Sequence, residues 1–497
     1  MNYISTRGNN QKMTSAQAII AGLADDGGLF VPDELPQVDM EFIKGLTKLS
    51  YQERAARVLG CFLTDYTDEE IKGCVERAYG GGKFDDAAVA PLNIMEDVSV
   101  LELWHGPTSA FKDMALQLLP QLLSTALKKT GEKNQVLILV ATSGDTGKAA
   151  LEGFRDVEQT KIIVFYPENG VSRIQKLQMV TQQGENVAVT AVKGNFDDAQ
   201  SGVKAIFSDR EFNAKLNEAG VSLSSANSIN WGRLVPQIVY YFSAYADLLK
   251  AGVIRAGDEI SFTVPTGNFG DILAGYYALR MGLPVKKLIC ASNTNNVLTD
   301  FLSTGVYDKR RTFYKTTSPS MDILVSSNLE RLLSLLTGDD AYVAGLMKQL
   351  NEQGHYKVSD ELLKKLKAEF SCGCCDDAAA AETIGRLWAE ENYLCDPHTA
   401  VAWNVAEQFG KTCSGGAPVV VLSTASPYKF PAAVLSALGQ KAGEDEFAVM
   451  EELHARTGVP VPKNLAALRE KPVRHKDVIG REDMLAYVLE KAGEAEW

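Results

Sequence analysis

The chain has little that would tie it to an oxidising compartment, a bilayer or a polyanion. Cysteines number eight in 497 residues, and only Cys372, Cys374 and Cys375 cluster, in SCGCCDD. That argues against a secreted disulfide framework. No fourth ligand stands at finger-like spacing for zinc, so no metal is expected and free thiols are. Long apolar runs are also missing: VLILV and PVVVL are strand-sized, far short of the roughly 18 to 20 residues that span a bilayer. The opening MNYISTRGNNQK lacks an apolar signal region and is poor in Arg and Ser for a transit peptide, so a cytoplasmic address is expected. Positive charge is in deficit, 50 Lys+Arg against 63 Asp+Glu giving −13, which argues against nucleic acid or an anionic membrane as partner. An anionic ligand must be held locally.

What is present is ordinary globular material, 45% hydrophobic and 23% charged, long enough at roughly 150 residues per domain for two or three domains. The first hundred residues alternate helical pattern (SAQAIIAGL, YQERAARVLGCFL) with the turn-rich DDGGLFVPDELP, and predict a cap domain over 1–95. From Gln135 short β-branched runs end in Gly/Ser/Thr turns and lead into helix-period segments: VLILV, KIIVFYP, NVAVTAV, ISFTVP, VKKLICAS. Such βαβ alternation predicts an α/β protein with parallel, doubly wound sheets. We expect a small α/β domain over 131–240 and a large domain from 96–130 and 241–497. Residues from about 325 to 395 read as a helical insertion without strong strands, and the tail RHKDVIGREDMLAYVLEKAGEAEW as a polar-faced terminal helix.

Four segments carry chemistry. In HGPTSAFKDMALQLLP, Lys112 follows Phe111 and precedes Ala115, Leu118, Leu119, Leu122 and Leu123 at helical spacing, with Pro120 marking a kink or restart. Most lysines are surface groups. An amine among apolar and aromatic neighbours instead has a depressed pKa and can act as nucleophile or Schiff-base partner. His105, just before Gly-Pro, suits either a structural turn or acid–base work. ATSGDTG offers backbone amides and the hydroxyls of Thr142, Ser143 and Thr146 at a helix start, for an anion or simply as a cap. It is no P-loop, because Thr142 replaces the first glycine and Ala149 the final hydroxyl. VPTGNFGDILAG joins strand to helix with glycines that let a phosphate approach, and fails the dinucleotide pattern. In VVVLSTASPYKFPAAV, Thr424 stands at a strand end, Lys429 in the loop, and Pro431 at a first helical position. Ligands of open α/β sheets gather at the carboxyl ends of strands, where these turns fall.

The ordered set YISTRG, DGGLFVPDELP, HGPTSAFKDMA, SGDTG, GNFGD, DPHTA and STASPYKF resembles the threonine synthase family across nearly the whole chain. The resemblance implies a fold-type II pyridoxal-phosphate (PLP) enzyme, similar to the tryptophan synthase β subunit, with two doubly wound lobes, an N-terminal cap and a helical insertion. It also implies conversion of O-phospho-L-homoserine and water to L-threonine and phosphate. By this resemblance Lys112 carries PLP as a Schiff base with Phe111 beside the ring. Gly267, Asn268, Phe269, Gly270 and Asp271 line the cofactor phosphate loop, and Thr424 faces the pyridine nitrogen. The substrate falls to Ser143, Asp145, Thr146, Asn227, Asn230, Arg233 and Lys429. Asp145 is an awkward neighbour for an anion. Asn227 and Arg233 also suit a helix cap and a surface arginine, and His398 in DPHTA suits a cap as well as a site role. The long helical segment resembles the family's longer variety, mostly described as monomeric. Two other readings use the same motifs: a PLP β,γ-lyase releasing 2-oxobutyrate and phosphate, and a PLP-free phosphometabolite-binding protein.

Overall fold

Alternate residues of each central strand enter different apolar clusters, so both faces of each sheet are covered. The protein is described by a computed structural model covering residues 1–9, 11–96, 98–142, 144–169, 171–412 and 417–493. Val420 and Leu422 join one cluster and Val421 another; Ile138 and Val140 join one, Leu137 and Leu139 another. Strands buried on both faces read as unbroken Val/Ile/Leu runs, as VVVL and VLILV do.

One sheet has six strands in the order Phe370–Cys374, Val285–Ser292, Ile260–Pro265, Val419–Ser423, Val98–Glu102 and Leu92–Ile94. All neighbours are parallel except the last pair. The other has five parallel strands, ordered Asp477–Ile479, Val187–Val192, Thr160–Pro167, Gln135–Ala141 and Val221–Ser224.

The N-terminal helices Ser15–Ala21, Tyr51–Gly60 and Asp68–Tyr79 each start on a capping box, Thr14 with Gln17, Ser50 with Glu53 and Thr67 with Glu70. They share the main core: Tyr3, Phe62 and Tyr277 surround Trp231 at 5.2, 5.6 and 5.3 Å between ring centroids. Trp231 begins the buried helix Trp231–Ala251. Among the described residues no helix is long and apolar enough to cross a membrane.

Two expectations need correction. The segment expected to be a helical insertion without strong strands supplies Phe370–Cys374 as an edge of the six-stranded sheet and His355–Lys357 as partner of Val306–Asp308. FSCGC runs from buried Phe370 to exposed Cys374, so an edge strand gave no apolar run to read. The tail, expected to be one helix of the large domain, adds Asp477–Ile479 to the five-stranded sheet before helix Met484–Gly493. Met484, Tyr487 and Val488 pack in the cluster of Leu139, Ile163 and Phe165. A three-residue strand has no periodicity, and its placement is set by tertiary contacts.

Candidate active site

Lys112 heads the short helix Lys112–Leu116, and helix Leu119–Thr130 restarts with Pro120 in its first turn. The preceding loop is clamped from both ends. Asp113 accepts from the Thr108 backbone N–H at 2.8 Å and the Thr108 hydroxyl at 2.7 Å. Burial pushes the Asp113 carboxyl up to about 7 against those two donors. Phe111 N–H donates to the Thr424 carbonyl at 2.8 Å, and Ser426 N–H to the Ser109 carbonyl at 3.1 Å, pinning the lysine turn to the end of strand Val419–Ser423. The Lys112 amine lies 4.9 Å from the Phe111 ring centroid and donates to Ser320 Oγ at 3.2 Å. Desolvation lowers its pKa. Asp145 opposes the fall, while the charges of Arg233 and Lys429 add to it.

The glycine-containing turn precedes helix Gly270–Met281, whose cap Phe269 takes a left-handed φ of 64°. A Cβ at Gly267 would meet the Ser320 carbonyl oxygen at 2.7 Å, so the turn lies directly against the segment that touches Lys112. Asn328 backs the same turn: its N–H donates to the Asn268 carbonyl at 3.1 Å. Its buried Nδ2 has no partner and lies 3.4 Å from where a Gly270 Cβ would be. Exposed Asn268, a helix N-terminus and an orphan amide donor fit a phosphate, and the depressed amine of Lys112 fits an aldehyde. The residues present therefore fit PLP. Two side chains of this turn have partners of their own. Phe269 is buried against Phe370, 5.8 Å between centroids. Asp271 Oδ1 accepts from the Tyr240 and Tyr241 hydroxyls at 2.6 and 2.9 Å, and burial pushes its carboxyl up to about 6. Its Oδ1 is thus turned to the tyrosines, while its buried Oδ2 has no hydrogen-bond partner.

Across from Lys112, Asp145 of helix Asp145–Phe154 and Lys429 form an ion pair at 2.8 Å, both side chains almost wholly buried. Burial alone would raise the Asp145 carboxyl, yet the positive charges of Lys429 and Lys112 hold it well below the usual carboxylate range. Lys429 also donates to Gln178 Oε1 at 2.7 Å, and Gln175 Nε2 donates to Asp145 Oδ1 at 3.4 Å. Arg233 is buried rather than on the surface. Its Nη1 donates to the Ala226 carbonyl at 2.6 Å, its Nε has no partner, and no ion pair engages it among the described residues. Thr146 is half-buried and Asn227 exposed, while Ser143 lies outside the described residues. Asn230 does not join this group. Its Oδ1 caps helix Trp231–Ala251 through Gly232 N–H at 2.8 Å and its Nδ2 donates to the Ile19 carbonyl at 3.0 Å.

Sequence reasoning missed Ser320, Asn328, Gln175 and Gln178, which sit in segments without a motif. His398 is at the site: Ser320 N–H donates to its Nε2 at 3.1 Å, and its Nδ1 lies 2.6 Å from Asp396 Oδ2. His105 is held instead between Asp85 and Glu102 at 2.6 and 2.9 Å and stacked on Trp104. The described cysteines are free thiols, with Cys372 Sγ 3.3 Å from Ser303 Oγ.

Three family profiles match in order: "Threonine synthase N terminus" over residues 2–79, "Pyridoxal-phosphate dependent enzyme" over 93–425, and "Threonine synthase, C-terminal" over 399–486. The threonine synthase of Pseudomonas aeruginosa is 44% identical over 444 residues, 88% of this chain and 91% of that protein. Threonine synthase-like 1 of Macaca fascicularis is 44% identical over 436 residues, 85% of this chain; the chain spans only 58% of that relative's length. The crystal structure of PLP-bound threonine synthase from Brucella melitensis superposes with a TM-score of 0.89 at 40% identity, covering 99% of this chain and all of that one. With sheets, lysine turn and glycine turn arranged as described, the chain belongs to the threonine synthase family of fold-type II, PLP-dependent enzymes.

Proposed function

We propose that the protein converts O-phospho-L-homoserine and water to L-threonine and inorganic phosphate. The observation that carries this reading is Arg233, a buried guanidinium with an unpartnered Nε and no carboxylate paired to it among the described residues, close enough to Lys112 for its charge to depress the amine. A buried cation without a counter-ion is costly unless an anion completes it, and this substrate brings a carboxylate and a phosphate. PLP, when bound, supplies an electron sink conjugated to the substrate's Cα. Its phosphate is assigned to the turn of Gly267, Asn268, Phe269 and Gly270 with Asn328, and its pyridine nitrogen to Thr424. A neutral hydroxyl there leaves that nitrogen largely unprotonated.

The chain's own part is proton transfer and positioning. Lys112 Nζ, kept from full protonation by burial, takes the proton from Cα and then one from Cβ as phosphate leaves Cγ. The amine gives up the first proton before it takes the second; of these two and the one that water loses as its oxygen adds at Cβ, one goes to Cγ, one returns to Cα and one leaves on the phosphate. Arg233 grips one anionic end and Thr146 and Asn227 offer neutral donors to the other, while Lys429, its N–H groups given to Asp145, Gln178 and the Thr108 carbonyl, holds the wall of the site in place; separate grips align the Cγ–O bond for elimination. The test is phosphate release from O-phospho-L-homoserine with NMR of the product. Lys112→Ala is expected to lose roughly 10² to 10⁴ in rate together with the visible absorbance of the holoenzyme. Full turnover by that variant would sink the assignment of Lys112, and 2-oxobutyrate as the main product would sink the synthase reading in favour of the lyase.

A further inference from the structure

A buried polar chain leads from the helix Pro397–Thr412 to the Lys112 amine, and the reaction proposed above does not use it. Asp396 and His398 are both almost wholly buried. One Asp396 oxygen, Oδ2, accepts from the His398 backbone N–H at 2.9 Å and lies 2.6 Å from Nδ1 of the same ring. The other, Oδ1, accepts from the Thr399 N–H at 3.1 Å and from the Thr399 hydroxyl. The far ring nitrogen, Nε2, receives the Ser320 backbone N–H at 3.1 Å. A backbone N–H can only donate, so Nε2 must present its lone pair, and the ring proton belongs on Nδ1, where the Asp396 carboxylate accepts it. The ring also packs on Phe430, 5.0 Å between centroids.

Ser320 then faces two ways. Its hydroxyl accepts from Lys112 Nζ at 3.2 Å. Its carbonyl oxygen lies 2.7 Å from where a Cβ on Gly267 would stand, so the residue also backs the glycine turn assigned to the cofactor phosphate. One residue thus meets the amine with its side chain and backs the turn with its carbonyl.

We propose that Asp396 and His398 are positioning residues: Asp396 fixes the ring tautomer, and His398 Nε2 fixes the Ser320 backbone so that Ser320 aims the Lys112 amine and buttresses the turn at Gly267. An oriented imidazole needs no change of charge to do this. The ring acts as a rigid acceptor, and its carboxylate prevents the other tautomer, which would set N–H against N–H.

This rests on Lys112 being the reacting amine, so the first readout is independent of turnover. Hydrogen exchange of the peptide covering residues 316–324 is compared for the full-length holoenzyme, His398→Phe and His398→Gln. Phenylalanine keeps a ring against Phe430 but has no acceptor; the glutamine Oε1 can restore one near Nε2. The Ser320 amide is expected to exchange about tenfold faster or more in His398→Phe and close to the wild-type rate in His398→Gln. The visible absorbance band is expected to shift in His398→Phe and in Ser320→Ala, with kcat for phosphate release down by about tenfold and KM little changed. His398→Gln recovers both. Wild-type exchange and spectrum in His398→Phe overturn the proposal, and so does His398→Gln as impaired as His398→Phe. Should His398→Phe not fold, Ser320→Ala decides, because an unshifted band and unchanged kcat there break the link to Lys112. If the wild type released no phosphate while exchange responded as expected, the reaction assigned above would fail and the positioning role would stand.

Discussion

Between Asp85 and Glu102, His105 is a cation over most of the pH range in which the protein is handled. Burial disfavours its charge, but the two carboxylates outweigh that and push it up to about 9. A folded pKa above the unfolded value of about 6.5 means that the clamp's contribution is complete below about pH 6.5 and is lost as the pH rises through about 9. Asp85 is half exposed, so solvent screens part of the attraction and about 1 kcal/mol is a reasonable size. The difference in melting temperature between wild type and His105→Gln is therefore expected to be largest near pH 6 and to shrink by pH 10. A difference that stays constant over that range would remove the clamp. Sequence alone left this residue between structure and catalysis, because Asp85 stands twenty positions upstream and nothing local announces it.

At the level of elements, the lysine helix owes its place to a glycine on its neighbour. Gly153 lies inside helix Asp145–Phe154, where glycine is less favourable than alanine by about 1 kcal/mol. A Cβ there would stand 1.8 Å from the Leu116 carbonyl oxygen, the last residue of helix Lys112–Leu116. Gly153→Ala is expected to cost about 1–3 kcal/mol through overpacking and to shift the visible band of the holoenzyme, since the helix it pushes begins with Lys112. Gly345→Ala is the matched control: it also sits within a helix, Asp340–Gln353, and its added Cβ meets nothing within 4 Å, so it should stabilise slightly. Equal effects of the two substitutions would show that close approach at Gly153 does not matter. The strands and turns that carry Asp145, Gly267 and Lys429 were legible in the sequence because buried parallel strands announce themselves as apolar runs ending in Gly/Ser/Thr turns, and Lys112 was legible from the apolar helical stripe that follows it. The edge strand at Phe370 and the returning strand at Asp477 were not, being short, half-exposed and fixed only by their partners. The partners of the Asn230 and Asp271 side chains were not legible for a related reason: a motif gives a residue's place, while its hydrogen-bond partners, Ile19 and the two tyrosines, come from elsewhere in the fold.

For the whole molecule, the pair of Lys429 and Asp145 joins the two sheets at the site. Asp145 follows strand Gln135–Ala141 of the five-stranded sheet, and Lys429 follows strand Val419–Ser423 of the six-stranded one. A net charge of −13 gives an anion no general welcome, so local cations must do the holding, and Asp145 keeps one of them neutralised and in place. Both members are desolvated, so removing one strands the other. Lys429→Met is expected to destabilise by about 3–5 kcal/mol, because it leaves a buried carboxylate unpaired apart from Gln175 and the more distant Lys112. Asp145→Asn in the same chain removes that stranded charge. The double variant should therefore melt at a higher temperature than Lys429→Met alone, and its loss should be smaller than the combined losses of the two single variants. Additive losses in that four-protein comparison would mean that the two charges do not support each other.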